Sequence, residues 1–190
     1  MPDKEELIAK ILEMELKMFL SVPADGVYSC RQNPDGFRIH RGAQFIVWSE
    51  DTLQSYMDDL QKAEREDLNL MTIKYARMDN MIPRRNINTL IEKIAAIQLR
   101  WQRQMFEKYP NLMAGARKLM DSENKAGGTS FETYLKSELE TYSDNTLSLL
   151  HRDLSGLEEM GINGSERVYE HLSKIMGYES IEAADAAQKI

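Results

Sequence analysis

"WSEDTLQSYMDDL" at residues 48–60 recurs, slightly altered, as "YSDNTLSLLHRDL" at 142–154. Ser49 and Ser143 each precede acidic residues, the pattern of a helix N-cap followed by a first turn that favours negative charge. Behind these caps, Leu53, Tyr56, Leu60 and Ala63 share one helical face, and so do Leu147, Leu150, Leu154 and Leu157. Apolar residues stepping by three and four read as core-facing stripes.

The repetition extends well beyond thirteen residues. A shift of 94 aligns Phe37–Tyr75 with Phe131–Tyr169 without gaps and gives nine identities in 39 positions, among them Thr52/Thr146, Asp59/Asp153, Asn69/Asn163 and Tyr75/Tyr169. Ordinary composition yields roughly two or three by chance. "LIAKI" at 7–11 matches "LIEKI" at 90–94, offset 83, and "KMFLSVP" at 17–23 resembles "QMFEKYP" at 104–110, offset 87. The changes of offset are insertions in the second copy.

The remaining sequence is also helical in pattern. Ile87, Leu90, Ile91, Ile94, Ile97, Trp101 and Met105 form one stripe, with Thr89 and Glu92 at capping-box spacing. Residues 4–20 carry a similar stripe behind Asp3, and Pro34 suits the first turn of a helix running to about Val47. Gly161 and Gly177 fit just past helix ends. The expected architecture is all-α: one domain over 1–190, built from repeat units 4–80 and 87–176 joined by the linker 81–86. Two copies are fewer than a free-standing solenoid needs, so the units are expected to pack face to face about a pseudo-twofold axis.

Composition bounds the function. A net charge of −7 argues against nucleic acid and against an anionic membrane surface as partners. The basic stretches "IPRRN" and "LRWQRQ" read as a solvated linker and helix face. No apolar run approaches the roughly 20 residues of a membrane span, and the opening "MPDKEELIAK" is charged where a signal peptide carries an apolar segment. A single cysteine, Cys30, excludes an internal disulfide and fits a reducing cytoplasm. There is no Gly-rich phosphate loop, no Glu-x-x-His and no zinc spacing among His40, His151 and His171. No metal site is expected from the residues, and they leave any cofactor unknown.

Candidate site residues come from the positions that the repeat leaves unexplained. Asp59 and Asp153 put an acid beside the apolar stripe in both copies, where it needs a partner. Tyr75/Tyr169, Trp48/Tyr142 and Arg41 are available. Where the first copy has Arg38, His40, Arg41 and Gln44, the second has Glu132, Tyr134, Leu135 and Glu138. A basic face from one copy is therefore expected to meet an acidic, Tyr-containing face from the other. Arg–Glu pairs that merely bridge helices give the same pattern. Cys30 is either a packed small residue or a nucleophile.

"CRQNPDGFRIHRGAQFIVWSEDTLQSYMDDL" (30–60), "NLMTIKYARMD" (69–79), "FETYLKSELETYSDNTL" (131–147) and "GYESIE" (177–182) resemble the bacterial domain-of-unknown-function family numbered 4125 over essentially the whole chain. The resemblance implies a cytoplasmic bacterial protein without an assigned activity and supplies no catalytic residues. It implies preferred positions at Cys30, Pro34, Phe37, Arg41, Gln44, Phe45, Trp48 and Ser49. His40 stands where an apolar residue is expected.

Two functional readings follow. The first is a small-ligand or protein-binding module with a site between the repeats, formed by Arg38, Arg41, Trp48, Asp59, Tyr75, Glu138, Tyr142, Asp153, Tyr169 and Cys30. Twelve methionines suit an adaptable surface. The second is an enzyme acting on a small anionic substrate, with Cys30 or the Asp59/Asp153 carboxylates as working groups and Arg38 and Arg41 holding the anion.

Overall fold

The computed structural model describes residues 3–23, 33–123 and 128–189. Cys30 lies outside them. The described residues are all-α and contain no strand.

Most helices begin on a side-chain cap that the sequence spells out. Helix α1 (Lys4–Leu20) starts at Asp3, whose carboxylate accepts the Glu6 N–H, and α2 (Pro34–Phe45) starts at Asn33 with Pro at its first turn. Ser49 caps α3 (Glu50–Arg65) and Ser143 caps α7 (Asp144–Glu159), each hydroxyl accepting from the threonine three residues on. Asn69 and Asn163 do the same for α4 (Leu70–Met78) and α8 (Gly164–Ile175). Ser130 begins α6 (Phe131–Leu139) and Ser180 begins α9 (Ile181–Ala187). Each such cap supplies an acceptor to an N–H that has no partner within the helix.

The exception is α5 (Leu90–Lys108). Thr89 has helical φ and ψ and makes no side-chain cap bond. Two asparagines replace it: Asn86 Oδ1 accepts the Asn88 N–H and Asn88 Oδ1 accepts the Leu90 N–H, both at 2.9 Å. Ile87 therefore precedes the helix and is exposed rather than part of the apolar stripe.

Past α3 and α7 the chain reverses through a left-handed residue, Asp67 with φ 55° and Gly161 with φ 69°. The amides of Leu68 and Ile162 then return to the carbonyls of Ala63 and Leu157. Gly161 is the residue type suited to that φ, and Asp tolerates it.

Helices α3 and α7 pack against each other at the centre, α1 against α3 and α5 against α7. Helix α2 lies on α1 and reaches α8, while α6 lies on α5 and reaches α4. Leu53, Leu60, Leu147, Leu150 and Leu154 are fully buried in this seam. One continuous core runs from Leu7 of α1 to Leu154 of α7, and α9 closes a smaller cluster of Met105, Tyr109, Met113 and Ile181.

Candidate functional site

Four charged side chains meet in the interior, each brought by a different helix. Glu15 projects from α1, Arg41 from α2, Lys74 from α4 and Glu138 from α6, all buried. Arg41 Nε and Nη2 bond to Glu15 at 2.7–3.0 Å. Its Nη1 meets Glu138 Oε1 at 2.7 Å and Gln44 Oε1 at 2.6 Å. The other Glu138 oxygen accepts from Lys74, whose ammonium also sits 3.6 Å from the centroid of the Tyr134 ring. Tyr56 donates to Glu15 and Tyr142 donates to Glu138, both at 2.6 Å.

Two carboxylates against two cations leave the cluster neutral. At Arg41, Lys74 and Glu138 burial opposes the charge, and the neighbours of opposite sign outweigh it. Arg41 and Lys74 hold the Glu138 carboxyl well below the usual carboxylate range, and Glu138 raises both cations in return. Burial also pushes the phenols of Tyr56 and Tyr142 well up, so both are hydrogen-bond donors across the physiological range.

Beside this cluster lies a chamber of about 720 Å³, bounded by α2, α5, α6, α7, α8 and the C-terminal segment. That volume is in the range of small-molecule sites. Trp48 and Trp101, both buried, face it, and they are the chain's two tryptophans. Leu135, Leu139, Leu150 and Val168 add apolar wall, and Gln44 and Gln98 add amides. Trp101 fits only because Gly164 has no side chain: a Cβ there would stand 2.5 Å from the indole ring.

Of the candidate residues, Arg41, Trp48, Glu138, Tyr142 and Tyr169 line the chamber. Arg38 is on the surface, bonded to Asp35 of its own helix at 3.2 Å. Tyr75 packs against Phe19 near α1. Asp59 and Asp153 lie elsewhere and have partners of an unexpected kind. Asp153 accepts the Ser49 N–H at 2.8 Å and the Thr52 hydroxyl; Asp59 accepts the Ser143 N–H at 3.0 Å and the Thr146 hydroxyl at 2.7 Å. The partners are thus a backbone amide and a Thr hydroxyl at a helix start, with Arg152 added at Asp153 at 3.2 Å, rather than a Tyr, an indole or Arg41. Among the described residues no cluster of three His, Cys, Asp or Glu is placed to hold a metal ion, and no helix is long and apolar enough to cross a membrane.

Glu15 and Lys74 were not candidates from sequence. A signal existed: Glu15 falls four residues after Ile11 and four before Phe19 on the buried stripe of α1, where an unpaired charge is costly. Lys74 holds the same kind of position after Met71.

No curated protein and no solved structure matches the chain. The family model described as "Protein of unknown function (DUF4125)" matches residues 5–186, nearly the whole chain, and the protein is a member of the DUF4125 family.

Proposed function

We propose that the chain is a duplicated four-helix unit, α1–α4 and α5–α8 about a pseudo-twofold axis, and that it is a small-ligand-binding protein whose site is the chamber. The duplication is supported by pairs of matching bonds. Ser49 N–H to Asp153 mirrors Ser143 N–H to Asp59. Asn69 Nδ2 to the Met18 carbonyl mirrors Asn163 Nδ2 to the Trp101 carbonyl, which extends the offset of 83 to Met18/Trp101.

Under that correspondence, the residues matching Glu15, Arg41, Lys74 and Glu138 are Gln98, Leu135, Val168 and Gln44. All four line the chamber. Three of the four charged residues, Glu15, Arg41 and Lys74, come from the first unit, and at the matching places the second has Gln98, Leu135 and Val168, all neutral and two of them shorter, beside an open space. A half-open pocket of this volume, with both tryptophans on its wall, is the observation that carries the ligand-binding reading.

Native mass spectrometry beside the denatured mass of the same sample tests it. The expected result is a mass excess lost on denaturation and absent from Val168→Phe, which narrows the chamber. An excess retained unchanged in Val168→Phe, with the variant folded, sinks the reading.

A further inference from the structure

We propose that the chamber selects a neutral, largely apolar molecule bearing hydrogen-bond acceptor oxygens, such as a carbonyl, rather than an ion. This rests on the ligand-binding reading and specifies its ligand. The argument starts from what the charged groups at the chamber are already doing. Arg41 has acceptors at all three guanidinium nitrogens, in Glu15, Glu138, Gln44 and Tyr142. Glu138 has Arg41 and Tyr142 on one oxygen and Lys74 on the other. A ligand carboxylate would have to break one of these buried pairs or enter without a counter-ion, and a ligand ammonium faces the same choice at Glu138. The remaining ionisable groups on the lining, Arg117 and His40, are exposed and solvated. Arg117 is further held over the Tyr134 ring and on the Thr129 carbonyl.

The groups left over are donors and amides. The Trp48 and Trp101 indole N–H groups have no acceptor among the described residues, and since no fully buried side-chain nitrogen or oxygen there lacks a partner, both nitrogens reach accessible space although most of each side chain is buried on the chamber lining. An indole offers a donor and no acceptor. Gln44 gives its Oε1 to Arg41, which leaves its Nε2 as a donor with no partner among the described residues. Gln98, half-buried on the same lining, has its whole amide without such a partner. Both indoles and the Gln44 Nε2 therefore ask for an acceptor, while Gln98 and Gln102, whose Nε2 is given to Ser165, also offer a carbonyl oxygen, and the wall between them is Leu135, Leu150, Val168 and the indole faces.

The inference is tested by calorimetric titration of the intact protein with three probes on one adamantane cage: N,N-dimethyladamantane-1-carboxamide, adamantane-1-carboxylate and adamantan-1-ylmethylammonium. The amide, which accepts but cannot donate, is expected to bind about tenfold or more tightly over either ion, because the ions are desolvated without compensation. Gln98→Leu, which keeps the wall and removes an amide donor, is expected to weaken the carboxamide severalfold and leave the ions unchanged. Either ion binding as tightly as the amide would overturn the selectivity while leaving ligand binding intact. Carboxamide binding that Val168→Phe does not alter would place the probe outside the chamber and overturn the inference too. No binding by any probe would also overturn it, and the mass comparison would then decide the ligand-binding reading on its own.

Discussion

The carboxylate of Asp153, near the middle of α7, accepts the backbone N–H of Ser49 at 2.8 Å, at the start of α3. Asp59 of α3 returns the arrangement to Ser143 at the start of α7. Each central helix thus supplies an anion to the positive end of the other. The pair also fixes the register of α3 against α7, because one acid reaches both a backbone amide and a threonine hydroxyl.

Asp59→Ala is expected to destabilise the protein by about 1–3 kcal/mol, since it leaves the Ser143 N–H and the Thr146 hydroxyl to find other acceptors. Asp59→Asn, which can still accept, should cost less. Urea unfolding of both variants checks the order; equal stability of Asp59→Ala and the parent would mean that the bond is not structural.

Arg41→Met should be more damaging, about 3–5 kcal/mol, because Glu15 and Glu138 are both left buried with less compensation. The loss is of a partner rather than of bulk. Adding Glu15→Gln to Arg41→Met should recover part of the stability, and an additive double variant would rule out that cause.

The acid response has a definite sign. The folded Glu138 carboxyl is held below its ordinary value of 4.5, so its stabilisation is complete above about pH 4.5 and drains away as pH falls toward the folded value. Lys74 is raised above 10.5, so its stabilisation is complete below about pH 10.5 and is lost as pH rises further. Lys74→Met with Glu138→Gln leaves a balanced Glu15–Arg41 pair. Its unfolding free energy should fall less between pH 5 and pH 3 than that of the parent, measured by urea titration at each pH.

Gly164→Ala puts a methyl group against the Trp101 ring, 2.5 Å from its nearest atom. The cost is expected to be about 1–3 kcal/mol, the range for overpacking. Trp101→Leu in the same chain should relieve the clash. Thermal unfolding and tryptophan emission together follow this, and a Gly164→Ala protein with unchanged stability and emission would show that the ring has room to move.

The features legible in the sequence are those that depend on neighbours along the chain. Ser49, Ser143, Asn69 and Asn163 were readable as caps because a cap and its amide lie three residues apart. Leu53 and Leu60 were readable as core because helical periodicity alone aligns them. Thr89 fails for the opposite reason: its spacing to Glu92 is right, but its backbone is already helical, and the side chains of Asn86 and Asn88 start the helix by accepting the Asn88 and Leu90 N–H groups.

The site was legible in pieces. Arg41 and Glu138 stand out because the residue type changes between the matching stretches, and Trp48 and Tyr142 as polar-tipped aromatics near the paired acids, yet nothing local to them names Glu15 or Lys74 as their partners. Arg41 and Glu15 are 26 residues apart and Lys74 and Glu138 are 64 apart. Such pairs exist only once α1, α2, α4 and α6 have packed.

By itself the sequence determined the all-α class, most of the caps and the buried stripes, since each follows from periodicity and short-range hydrogen bonding. Only the tertiary structure decided which charges neutralise one another, that Asp59 and Asp153 serve the opposite helix, and that a chamber opens beside Trp48 and Trp101. Those outcomes depend on how helices distant in sequence share a low-dielectric interior, where an ion's energy is set by whichever neighbour the packing delivers.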